Sequence, residues 1–126
     1  MAFEDKANYV LYLNVPEIKR IVQNSRLTNY TLTIDDAGKH ILHPSADTTP
    51  RTFTIPKNAD VAFSLGDAIT FVNQNGAGAI TIAIDTDTLR LAGAGTTGSR
   101  TLAANGMATA MKVGTTEWII SGTGLS

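Results

Sequence analysis

The chain has 126 residues, enough for one domain with a real core, and it contains no cysteine, which excludes disulfides, zinc–thiolate sites and a thiol nucleophile. Ten Lys and Arg stand against eleven Asp and Glu. Residues 1–49 carry five basic and six acidic side chains and residues 50–126 five of each, a balance that argues against a nucleic-acid or anionic-membrane surface.

The opening MAFEDKANYV has early acids and a short apolar run, so no signal peptide is expected. No apolar run approaches the ~20 residues of a spanning helix, and a soluble protein with no membrane contact is expected.

Residues 1–28 read as an N-terminal arm. Tyr9-Val10-Leu11-Tyr12-Leu13 is followed by Pro16-Glu17-Ile18-Lys19-Arg20-Ile21-Val22. Pro16 suits the first turn of a helix, Glu17 its positive end, and Ile18, Ile21 and Val22 one face, which predicts a short helix. Two turns are marginal without something to pack against. The arm has little core of its own, so Tyr9, Leu11, Tyr12, Leu13, Ile18 and Ile21 are candidate contacts to a partner or a neighbouring subunit.

From Asn29 the period changes to two. Tyr30, Leu32 and Ile34 alternate with Thr31 and Thr33, and Asp35-Asp36-Ala37-Gly38 turns into Lys39–His43. A hairpin and a loop through Pro50 are therefore expected over residues 29–50, linking the arm to a β module at 51–126.

The module holds ten of the eleven glycines and neither histidine. Phe53 and Ile55, Val61–Phe63, Ile69 and Phe71, Ile80–Ile84, and Leu89 and Leu91 are short apolar alternations separated by turns. Asn105-Gly106 predicts a two-residue hairpin leading into a strand whose Met107, Thr109, Met111 and Val113 share one face. Gly114-Thr115-Thr116 turns again before Trp118 and Ile120. Eight or nine short strands predict an all-β, compact antiparallel sandwich or barrel-like module. The alternate face is rich in Ala and Thr, which suggests close subunit approach, most simply in a trimer.

Each candidate chemistry meets a structural requirement. Gly93-Ala94-Gly95-Thr96-Thr97-Gly98 matches G-x-G-x-x-G, but that fingerprint needs a helix after it, and Arg100–Met111 has period two. Glu117 stands near the expected ribose-binding position yet in a predicted hairpin. His40 and His43 point to opposite faces of a strand, so a metal would need Asp36 or Asp47 arriving from elsewhere. Asp85 and Asp87 could form an acid pair for glycoside chemistry, but Asp85-Thr86-Asp87-Thr88 reads as a polar turn. Asn29-Tyr30-Thr31 is a glycosylation sequon by letters only. Trp118 is either a core or interface anchor or an outer-loop ligand contact stacking on a sugar. No catalytic residue, metal or cofactor is expected.

Thr54-Ile55-Pro56, Val61-Ala62-Phe63, Gly66-Asp67-Ala68-Ile69-Thr70-Phe71, Gly76–Ala83, Thr88-Leu89, Gly106–Val113 and Glu117–Gly122, in that order, resemble β modules of tailed-phage structural proteins. These include head decoration (cement) proteins and head or tail fibres. The similarity covers residues 51–125, about sixty per cent of the chain. It implies a non-enzymatic virion component, usually trimeric, made in the host cytoplasm, and supplies no catalytic residues. A short chain with a leading arm suits a decoration protein bound to the major capsid protein at the capsid surface better than a fibre segment. A fibre subunit binding a host glycan, and a small glycan- or nucleotide-binding domain, are the alternative expectations.

Overall fold

The computed structural model of the protein describes residues 19–126. Nine strands occur there: β1 (Gln23–Ser25), β2 (Tyr30–Thr31), β3 (His40–His43), β4 (Arg51–Ile55), β5 (Ala68–Asn73), β6 (Ile80–Ile84), β7 (Thr88–Leu91), β8 (Arg100–Gly114) and β9 (Glu117–Leu125). A single 3-10 turn covers Ile34–Asp36. All nine strands belong to one curled, mixed sheet, so the all-β expectation is met, with parallel as well as antiparallel pairs.

The chain alternates between two parallel ladders. β1, β3 and β5 stack in one, with Gln23 against His40 and His40 against Thr70. β2, β4 and β6 stack in the other, with Tyr30 against Phe53 and Phe53 against Ile82. Each odd–even pair is one coil, and the opposing strand serves as part of the crossover that parallel strands require. The long β8 closes both ladders antiparallel. Its first residues pair with β6 and residues 107–111 pair with β5. β9 returns along β8 and pairs in parallel with β7.

Four local expectations change. Residues 30–43 do not form a hairpin, because β2 and β3 lie in different ladders. Asn105-Gly106 does not turn the chain: Asn105 takes φ 67° inside a continuous β8 and marks a bulge between Leu102 and Met107 opposite β9. Val61–Phe63 is irregular, although Phe63 is buried. The helix expected after Pro16 reaches the described residues only at 19–22, which are not helical. Of the expected arm, residues 23–25 form β1 and pair with β3.

Alternation places the core. Ile41, Phe53, Ile55, Ile69, Phe71, Ile80, Ile82, Leu102 and Ile120 point inward and are fully buried. Phe53 stacks on Phe71 at 6.5 Å between centroids, joining the two ladders, and Phe63 meets the Trp118 ring edge-on at 5.3 Å. Ala108 lies opposite Phe71, and Ala110 opposite both Ile69 and Ile120. The small residues of β8 therefore make room for this chain's own large side chains.

Candidate functional site

The outer face of β8 is the most conspicuous surface. Met107, Met111 and Val113 point outward and are 57 %, 42 % and 46 % exposed. The register extends the patch sideways: Met107 lies between Val72 and Thr123, and Met111 between Ala68 and Ile119. Leu42 continues the first row beyond Val72. Between the two apolar rows runs a hydroxyl row, Thr70, Thr109 and Ser121, with the Thr70 and Thr109 hydroxyls 2.8 Å apart. An exposed face with apolar rows either side of a polar one suits contact with another protein surface.

The polar clusters inside the molecule are committed to holding loops. His43 is buried at the inner end of β3, with Nε2 2.8 Å from Asp47 Oδ2 and Nδ1 2.9 Å from Asn73 Oδ1. Asn73 Nδ2 donates to the carbonyls of Gly78 and Leu102. Arg51 Nε and a terminal guanidinium nitrogen donate to the two Asp47 oxygens at 2.8 and 3.2 Å. The Arg51 guanidinium first, and the His43 ring second, hold the Asp47 carboxyl far below the usual carboxylate range. Asp47 thus reaches His43, as a metal site would have required, but Arg51 occupies the rest of its carboxylate. His40 faces away, bonded to Gln23 and the Ile21 carbonyl. Among the described residues no cluster of three or more His, Asp and Glu could hold a metal ion.

A second cluster centres on buried Asp36. Its carboxylate accepts from Asn24 Nδ2 at 2.8 Å, the Tyr30 hydroxyl at 2.6 Å and the Thr33 N–H at 2.8 Å. Burial first, and the Asp36 carboxylate next, push the Tyr30 hydroxyl above its ordinary value. Arg26 lies over the Tyr30 ring at 4.0 Å. Together with Gln23 and Lys39 these residues line a polar hollow of about 290 Å³.

The remaining sequence candidates separate clearly. Gly93–Gly98 is the loop between β7 and β8, and a strand follows it where nucleotide binding needs a helix. Two arginines hold that loop: Arg90 donates to the Gly95 carbonyl, and Arg100 to the Gly98 and Thr97 carbonyls. Asp85 and Asp87 lie in the turn before β7, where Asp87 Oδ2 accepts from the Asn58 N–H at 2.8 Å. Trp118 is 1 % exposed, so its ring is a core anchor and is not presented to a sugar. Of the candidate interface residues in the arm, Ile21 is 59 % exposed, whereas Tyr9, Leu11, Tyr12, Leu13 and Ile18 lie outside the described residues.

Sequence reading missed the Asp36 cluster and buried Lys112. The Lys112 signal was present: if Met111 and Val113 face outward, Lys112 must face inward with Ala108 and Ala110. Among the described residues no helix is long and apolar enough to cross a membrane. No family model, curated protein or solved structure matches the chain.

Proposed function

We propose that this chain is a non-enzymatic capsid decoration protein of a tailed phage, a homotrimer that binds the major capsid protein on the head surface. The observation that carries the reading is the exposed outer face of β5, β8 and β9, where Met107, Met111, Val113 and Ile119 surround a hydroxyl row. Such a face supplies self-association area on a rigid element. The resemblance of residues 51–125 to virion β modules supports the same reading. So does the commitment of His43, Asp47 and Asp36 to fastening loops.

In this reading the apolar run Tyr9–Leu13, with Ile18 and Ile21, engages the capsid. Many equivalent lattice contacts then add up by multivalency, and burial of apolar surface stabilises the shell. The test is an electron-microscopic reconstruction of the particle, combined with head binding by a variant carrying Ser at Tyr9, Leu11, Tyr12 and Leu13. Density for this chain at repeated positions on the head, and lost head binding in the variant, are expected. Density confined to a tail or head fibre would replace this reading with that of a fibre subunit.

A further inference from the structure

Lys112 is 2 % exposed, on the inward face of β8. Its Nζ donates to two neutral acceptors, Asn58 Oδ1, in a contact shorter than an ordinary hydrogen bond, and the Phe63 carbonyl at 2.9 Å. Among the described residues no carboxylate lies within ion-pair distance of it. A buried ammonium without a counter-ion is a costly arrangement, and one normally removed by pairing or by losing the charge.

We propose that Lys112 and Asn58 condense into an intramolecular isopeptide bond. The Nζ of Lys112 gives up one proton and attacks Asn58 Cγ as the neutral amine; a second Nζ proton passes to Nδ2, and the ammonia that leaves takes up the first. The Nζ–Cγ bond forms, the Cγ–Nδ2 bond breaks, and Nδ2 leaves as ammonia. In sum, the ammonium of Lys112 and the carboxamide of Asn58 become a secondary amide and a free ammonium ion. Atoms and charge balance without an oxidant, a reductant or a second substrate.

The geometry favours the step. A carbonyl oxygen this close to Nζ puts its carbon about 3–3.5 Å away, the separation of a near-attack arrangement, and Nζ has then to swing from the carboxamide plane to its face for the attack. Both reactants are held. Lys112 sits in the β5–β8–β9 sheet opposite Trp118, whose ring packs on Phe63. Asn58 lies in a turn closed by bonds from Asp60 and Val61 N–H to the Lys57 carbonyl, and its own N–H is fixed by Asp87.

The product suits the site better than the reactants. The new amide keeps one N–H, which donates to the Phe63 carbonyl, and the positive charge leaves the core with the ammonium ion. The bond ties the β4–β5 connection to the last residues of β8, a covalent staple in a chain with no cysteine. It does not depend on the capsid reading.

The test is the intact mass of the full-length, denatured protein, followed by a digest. The expected mass is the sequence mass less one ammonia. The expected digest contains a branched peptide joining the Asn58 segment to an uncleaved Lys112. Asn58→Ala and Lys112→Arg should each restore the full sequence mass and abolish the branched peptide. Asn58→Asp, if it reacts, should lose water in place of ammonia. An unmodified wild-type mass overturns the proposal. So does an ammonia loss that maps to linear peptides at Asn75 or Asn105, each followed by glycine and able to close on its own backbone. The wild-type measurements decide the matter even where a variant does not fold.

Discussion

Asp47 joins three parts of the molecule through one carboxylate: the inner end of β3 through His43, the start of β4 through Arg51, and its own loop through the Thr49 N–H. Its backbone carbonyl also accepts from the Gly78 N–H, so the side chain and main chain of one residue fasten the 44–50 loop to the turn after β5. Because Arg51 and then His43 hold the carboxyl below its ordinary value, the stabilisation depends on pH with a definite sign. A depressed folded value means the contribution is complete above the unfolded value of about 3.9 and is lost as pH falls from there toward the folded value. Asp47→Asn, which cannot titrate, should melt lower than wild type at neutral pH. The gap in Tm should narrow once the pH drops below about 4. A gap that stays constant from neutral pH into acid would show that the Asp47 charge contributes no stability.

At the scale of elements, packing of backbone on backbone sets the constraints. A Cβ on Gly122 of β9 would lie 2.5 Å from Ala108 Cα and against the Met107 carbonyl of β8, and neither can move without opening the ladder. Gly122→Ala should therefore cost about 1–3 kcal/mol, as overpacked sites do. Thr115→Ala, exposed in the turn between β8 and β9, should stay within about 0.5 kcal/mol. Denaturant midpoints at unchanged slope would measure both; equal effects would refute the close approach. The same elements show what was legible in the sequence. Alternation located most of the strands and grouped Met107, Met111 and Val113 on one face, but it did not say that this face points outward: the Ala face expected to meet a subunit is the one buried in the chain's own core. Partnership was not legible, because β3 pairs with β5 and β4 with β6 across an intervening strand, which no local pattern records. Asn105-Gly106 misled for a related reason: the left-handed residue that suits a tight turn also suits a bulge, and pairing with β6 before it and β5 after it keeps β8 one continuous strand. The Asp36 cluster stayed hidden because Asn24, Tyr30 and Asp36 converge only when β1 and β2 take their places at the ends of separate ladders.

At the scale of the whole molecule, the small residues and the exposed apolar residues of β8 have different jobs. Ala108 and Ala110 face a core that already contains Phe53, Phe63, Phe71 and Trp118, so the closeness they permit is used within one chain. The basis for the proposed assembly is the opposite face, where Met107 and Met111 contribute little to the fold because they are exposed. Fold and assembly should therefore separate experimentally. Met107→Glu combined with Met111→Glu puts two like charges on the face, disfavouring association by desolvation and repulsion while leaving the inward contacts of β8 intact. Light scattering should give a trimer for the wild type and a monomer for the double variant, with little change in Tm beyond that due to dissociation. Leu65→Glu, at an exposed turn away from these rows, should remain trimeric. A double variant that keeps the wild-type mass would place the subunit contact elsewhere. It would then remove the surface on which the proposed assembly rests, whatever the arm binds.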